Sequence, residues 1–164
     1  MDRSDLLPAG SVQLFPMKEI IITPFVNARH RAQVAALWKE TFVYYTSAHN
    51  QPQLSIDKKV AVDDCLFFVA TDGDAMVGTI MAGYDGHRGW IYSLAVAPTH
   101  RRQGIGSRLV AHAERALTSL GCVKINLQIM EGNESVAAFY ESLGYMVEKR
   151  VSMGKRILGQ ANAE

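Results

Sequence analysis

Neither sign of charge dominates the 164 residues: 17 Lys and Arg stand against 16 Asp and Glu, a net charge of +1. Sequence-independent grip on nucleic-acid phosphates needs a clustered cationic surplus, so no nucleic-acid partner is expected. No apolar run reaches the roughly 18 residues that a membrane helix requires, so no membrane partner is expected either. The two cysteines, Cys65 and Cys122, are far apart and in no Cys-x-x-Cys pattern. They read as buried free thiols of a reducing compartment. His30, His49, His100 and His112 have no ligand spacing with one another or with the cysteines, which leaves no metal indicated. The first residues lack the basic-then-apolar order of a secretory leader, and a cytoplasmic protein is expected. Repeats, low-complexity tracts and linkers that would split the chain are also lacking.

What is present suits one globular domain. Hydrophobic residues make up 48% and charged residues 20% of the chain, ordinary values for a domain with a buried core. Residues 1–16, with Pro8, Gly10 and Pro16, show no sustained period and read as a flexible extension; residues 17–164 read as the single domain. Residues 18–23 are β-branched and strand-like. Asn27 can cap a helix carrying Val34, Leu37, Trp38 and Phe42, and Ser55 can cap a short one to about residue 63. Residues 43–54 read as a loop. Strands are expected at 65–71, 75–84, 90–96, 123–130 and 145–157, with tight turns at Asp72-Gly73-Asp74 and at 85–89. A helix with Ile105, Leu109, Ala113, Ala116, Leu117 and Leu120 on its apolar face closes at Gly121. A second shows Val136, Phe139, Tyr140 and Leu143. This order gives an α+β fold: a mixed, mostly antiparallel central sheet of six to seven strands with helices on both faces.

The richest stretch is Pro98-Thr99-His100-Arg101-Arg102-Gln103-Gly104-Ile105-Gly106-Ser107, a basic glycine turn between a strand and a helix. The first amides of a helix have no intrahelical acceptor, the helix dipole is positive there, and glycines let an anion approach the backbone. The turn is therefore a candidate seat for a diphosphate, although glycines could equally serve the turn alone. A P-loop would need Lys after Gly106, where Ser107 stands. A dinucleotide fingerprint would need a third glycine, where Leu109 stands.

Two further blocks decide among the readings. Ser93-Leu94-Ala95-Val96-Ala97-Pro98 precedes the turn, and Asn133-Glu134-Ser135-Val136-Ala137-Ala138-Phe139-Tyr140-Glu141-Ser142-Leu143-Gly144-Tyr145 follows the next strand. Together with the turn they resemble the GNAT superfamily of N-acetyltransferases, over residues 18–157 and most closely over 90–145. Gly83-Tyr84-Asp85-Gly86-His87-Arg88-Gly89 and Gly154-Lys155-Arg156 look like a branch of small bacterial members, the YpeA-like acetyltransferases.

The resemblance implies an acyl-CoA N-acyltransferase fold and transfer of an acetyl group from acetyl-CoA to a primary amine of a small molecule or peptide. It leaves open a protein N-terminal or lysine acetyltransferase, a non-catalytic acyl-CoA-binding regulatory module, and a homodimer. It implies that the amides of Arg102, Gln103, Gly104, Ile105, Gly106 and Ser107 hold the pyrophosphate. Arg101 would add charge or stand as a plain surface residue. Leu94, Ala95 and Val96 would carry the strand edge that pairs with the pantetheine arm, and the Val96 N–H would face the oxyanion. Asn133 would hydrogen-bond the pantetheine or cap its helix, and Tyr140 would be the general acid or a core aromatic. The resemblance departs at one place: many relatives carry a Glu just before the Leu-Ala-Val segment, where this chain has Trp90-Ile91-Tyr92-Ser93. The base is then open among a water held by Tyr92 or Ser93, Asp85 and His87. Tyr44, Tyr45 and Tyr92 are candidate walls of an acceptor pocket.

Overall fold

The computed structural model describes residues 19–42 and 51–155. The chain divides into two compact units, Met1–Gln128 and Ile129–Glu164. In the first, β1 (Ile20–Pro24) leads to α1 (Asn27–Thr41) and α2 (Pro52–Val62). There follow β2 (Phe67–Asp72), β3 (Ala75–Tyr84), β4 (Gly89–Val96), α3 (Ile105–Ser119) and β5 (Ile125–Asn126). The sheet order is β1-β2-β3-β4-β5. All neighbours pair antiparallel except β4 and β5, which run parallel.

Two adjacent residues of β3 show how the sheet is covered. Thr79 receives a 2.8 Å hydrogen bond from Trp38 Nε1 of α1. A Cβ placed on Gly78 would lie 2.9 Å from Leu109 Cδ1 and 3.3 Å from Ile105 Cγ2 of α3. Successive strand residues point to opposite faces, so α1 and α3 cover opposite faces. Glycine at 78 is what lets α3 come down onto the sheet. On the α1 face Phe67 stacks on Phe25 at 4.2 Å and on Trp38 at 5.8 Å. On the α3 face Phe68 meets His112 edge-on at 4.5 Å. Burial on both faces explains why residues 67–70, Phe-Phe-Val-Ala, are apolar without alternation.

β4 is not regular. Met81 stands opposite Tyr92 and Thr79 opposite Ala95, so Ile80 alone faces two residues, Ser93 and Leu94. This is a β-bulge, and Ser93 takes φ 52° to make it. It shifts the facing pattern: Tyr92 and Ala95, three apart, share the Thr79 face.

Several expectations are corrected. Among the described residues the sheet has five strands, not six to seven. The strand expected over 123–130 pairs only at Ile125–Asn126, and the one expected over 145–157 forms no ladder over 145–155. Alternating apolar residues mark a face, but a strand also needs a partner. Met146, Val147, Val151 and Met153 are each more than four-fifths exposed. Asn27 is the first helical residue, not the cap; the cap position belongs to Val26. The Val26 N–H donates instead to His30 Nδ1 at 2.9 Å. α2 starts at Pro52, whose fixed φ suits a first turn, so Ser55 lies inside it. Cys122 is buried and Cys65 exposed; both are free.

In the second unit α4 (Glu134–Ser142) is the one helix among the described residues. It stops before Gly144, which takes φ 90°.

Candidate active site

The glycine turn begins where β4 ends. Ala97 N–H donates to the Val77 carbonyl at 2.9 Å, and a 3-10 turn at Pro98–His100 follows, closed by His100 N–H on the Ala97 carbonyl at 2.8 Å. Arg102 and Gly104 both take positive φ, 62° and 76°, which turns the chain sharply into α3. The first backbone bond of the helix is Arg108 N–H to the Gly104 carbonyl at 3.0 Å. The six consecutive amides of Arg102, Gln103, Gly104, Ile105, Gly106 and Ser107 therefore have no acceptor among the described residues. Their positive ends sum with the α3 dipole. Six such donors in a row are a candidate anion seat that no described side chain of this unit fills.

The side chains around the turn brace it. Gln103 Nε2 donates to the Thr99 carbonyl at 3.3 Å, and Arg101 Nε to the Val96 carbonyl at 3.2 Å. His100 lies between Thr99 Oγ1 at 2.8 Å and Asp72 Oδ2 at 3.3 Å, tying the turn to the β2–β3 hairpin. Arg108 Nη2 donates to the Ile20 carbonyl at 2.6 Å. Ile105 is 1% exposed, so its side chain is core and only its amide faces the turn. Arg102 makes no hydrogen bond or ion pair among the described residues.

The edge of β4 beside the turn carries no further strand among the described residues. β5 pairs with it only at Gly89 and Trp90, and residues 92–96 have no strand partner on that side among the described residues. Along a strand the N–H and C=O of one residue point to one side and those of the next to the other. Ala97 N–H points to β3, so the Val96 amide and carbonyl point to the open edge. Arg101 already meets that carbonyl there. Leu94 and Val96 are partly exposed and Ala95 is buried.

Tyr92 is 40% exposed. Its hydroxyl donates to the Ala82 carbonyl at 3.2 Å, and its ring lies 5.6 Å from Lys59 Nζ. Lys59 went unnoticed in the sequence. It is buried, ion-paired with Asp64 at 2.6 Å, and also donates to the Ala82 carbonyl. The available signal was its spacing of three from Ile56, which puts it on the inward stripe of α2. Asp85 is occupied by its own turn: it accepts the amides of Arg88 at 2.6 Å and His87 at 2.8 Å, and the Trp90 indole N–H at 3.4 Å. Those amides, Arg88 first, hold its carboxyl below the usual range, which makes it a poor proton acceptor. Tyr44, Tyr45 and His49 lie outside the described residues.

In the second unit Asn133 occupies the cap position of α4. Its carbonyl accepts the amides of Val136 at 3.1 Å and Ala137 at 3.2 Å, but its side chain caps no amide. Among the described residues its Oδ1 meets only the Ser135 hydroxyl, at 3.5 Å, and its side-chain N–H groups have no acceptor. Tyr140 is 6% exposed. Its ring meets Phe139 at 5.0 Å and Tyr145 at 5.4 Å, both edge-on. Burial pushes its phenol up to about 12, and its hydroxyl has no hydrogen-bond partner among the described residues. Among those residues no three His, Cys, Asp or Glu side chains gather as a metal group.

A model of the GNAT acetyltransferase family matches residues 31–145. An acetyltransferase of Yersinia enterocolitica is 39% identical over 109 residues, 66% of this chain and 77% of that protein. Among solved structures, AAC(6')-Iy in complex with a CoA-linked bisubstrate analogue has TM-score 0.69 and 17% identity, covering 85% of this chain and 99% of that one. A PaiA N-acetyltransferase of Thermoplasma acidophilum in complex with coenzyme A has TM-score 0.66 and 19% identity, covering 81% and 93%. The structures share the fold, and the family match and the Yersinia relative carry the assignment: this chain belongs to the GNAT family of acetyltransferases.

Proposed function

We propose that the protein moves the acetyl group of acetyl-CoA directly to a primary amine of a small molecule or peptide, with both substrates bound at once. The observation that carries this is the unbroken run of six amides at the start of α3 without acceptors among the described residues. A pyrophosphate satisfies such a run without any side-chain rearrangement. Arg102 is free to add a full charge, while Arg101 is held at the Val96 carbonyl and contributes mainly field. The open edge of β4 at Leu94, Ala95 and Val96 accepts the pantetheine arm as an added strand. The Asn133 amide, unused by its own helix, serves the same arm.

When the amine attacks the thioester, charge develops first on the carbonyl oxygen and then on sulfur. The Val96 N–H at the open edge is the donor for the oxyanion. Tyr140 is the donor for sulfur. A phenol held up at about 12 stands above the ordinary range of a thiol, so full proton transfer to the thiolate is uphill. Tyr140 therefore stabilises the thiolate by donating a hydrogen bond, and its high pKa keeps that proton in place at neutral pH. The proton that the product thiol finally carries balances the one the amine loses. Asp85, its carboxylate held by the amides of its own turn, is the weaker candidate acceptor. Tyr92, whose O–H is given to Ala82, presents oxygen lone pairs that hold a water for the purpose.

The test is a calorimetric titration with acetyl-CoA, followed by thiol release against a panel of small amines and peptides, for wild type and Tyr140→Phe. Binding with amine-dependent thiol release, reduced by the substitution, supports the reading and names the acceptor class. A wild-type protein that does not bind acetyl-CoA overturns it.

A further inference from the structure

Thr79 is fully buried and polar, and it sits under the β4 bulge. Trp38 Nε1–H donates to its Oγ1 at 2.8 Å, and its own hydroxyl donates to the Ser93 carbonyl at 3.3 Å. The carbonyl it holds belongs to the residue at φ 52°. Serine in that region is disfavoured against glycine, and such a conformation persists only where its surroundings enforce it.

What the bulge does can be read from the register. Ala97 N–H is bonded to the Val77 carbonyl. If Ser93 and Leu94 did not share one partner, every residue after them would move back by one position. Val96 would then stand where Ala97 stands, and its N–H would be consumed by Val77. The one extra residue is thus what delivers the Val96 amide to the open edge.

We propose that Thr79, oriented by Trp38, is a positioning residue for acetyl transfer: its hydroxyl locks the register of β4 so that the Val96 N–H stays free for the oxyanion. The functional half of this rests on the proposed use of Val96; the register half does not. The lock acts through backbone geometry, and Thr79 touches no substrate.

The experiment compares Thr79→Val, which keeps the shape and removes the hydroxyl, with Thr79→Ser, which keeps the hydroxyl. Amide hydrogen exchange is read first, without ligand. Thr79→Val should slow exchange at Val96 and speed it at Ala97, while Thr79→Ser should match wild type. Turnover is read second. An oxyanion donor is worth 10² to 10³ in rate, so kcat should fall in step with the fraction of molecules that exchange reports out of register, about tenfold where nine tenths are. The acetyl-CoA Kd should rise as well, because the same register sets the β4 edge proposed to pair with the pantetheine arm. The kcat is therefore read at saturating acetyl-CoA, where only the transition-state loss remains. Finally, Thr79→Val is placed in a Ser93→Gly background, where glycine accepts positive φ unaided. There its effect on kcat and exchange should shrink several-fold relative to its effect in wild type. This pair also serves if Thr79→Val alone fails to fold.

Unchanged exchange at Val96 and Ala97 in Thr79→Val overturns the lock, whatever the melting temperature. Altered exchange with kcat intact keeps the lock and removes its catalytic purpose. A wild type that does not bind acetyl-CoA defeats the proposed function while leaving the exchange result to decide the register.

Discussion

Gly104→Ala separates the strain of the glycine turn from its use. Gly104 takes φ 76°, and a Cβ built there meets no heavy atom within 4 Å. The substitution therefore introduces no clash, only the penalty of a left-handed alanine, roughly 1–2 kcal/mol. For a domain of this size that corresponds to a melting temperature lower by roughly 2–8 °C. Gly73 supplies a matched control: it takes φ 58° in the β2–β3 hairpin, and a Cβ there also meets nothing within 4 Å. The two variants should lose stability alike. They should differ in ligand binding, because the empty space beside Gly104 is where the pyrophosphate is proposed to sit. Gly104→Ala should weaken acetyl-CoA by at least about tenfold, or about 1.4 kcal/mol, while Gly73→Ala leaves it unchanged. Thermal melts and calorimetry on both variants decide. Equal affinities at equal melting temperatures would show that Gly104 merely turns the chain and that the amides of 102–107 are not the phosphate seat. A Gly104→Ala melt identical to wild type would refute the strain reasoning itself.

Because burial raises the Tyr140 phenol from 10.0 to about 12, the native protein keeps a proton that the unfolded chain gives up earlier. Its contribution to stability is complete below pH 10 and is lost as pH rises through 12, and no alkaline limb in kcat near pH 10 should disappear in Tyr140→Phe. His30 works in the opposite direction: burial, then Arg29, lowers its pKa from 6.5, and Nδ1 must stay unprotonated to accept the Val26 amide. Stability should therefore hold above pH 6.5 and fall as pH drops below it, with a shallower fall in His30→Gln; melts across pH 5 to 8 would show this. Lys59→Met leaves Asp64 without its 2.6 Å partner and the Ala82 carbonyl without one of its donors. A loss of about 1–3 kcal/mol by denaturant titration is expected, and wild-type stability would mean that the buried ion pair contributes nothing net.

The parts that could be read from the sequence are those written as local chemistry. The hairpin at Gly73, the helix stop at Gly121, the glycine turn and most of the apolar stripe of α3 each follow from a few neighbouring residues and stand where they were expected. Leu120, expected on that stripe, lies past the helix end and is exposed, while Val110 is buried in addition. The parts that could not be read depend on pairing between distant segments. Nothing in Tyr92-Ser93-Leu94 marks a bulge, because the bulge exists only relative to Thr79 and Met81 on β3. Lys59 looks like any helical lysine until Ala82 and Asp64 are placed around it. The alternation over 145–155 suggested a strand, yet alternation specifies a face and not a neighbour. Val26, not Asn27, stands at the cap of α1, its own N–H held by His30 four residues on, a contact that no local cap signal announces.

The short pairing of β5 also bears on self-association. An inner strand with a bare edge is a template onto which another copy of the same segment can zip, the usual opening step of aggregation. Arg101 at the Val96 carbonyl puts a charged guard at one end of that edge, but residues 92–95 have no such guard among the described residues. Whatever lies along the edge in the working protein shields it as well as reacting there. A ligand at a hundred times its Kd would add about 2.7 kcal/mol to the native state. Supply of that ligand would then govern how long the molecule stays monodisperse, and not only how fast it turns over.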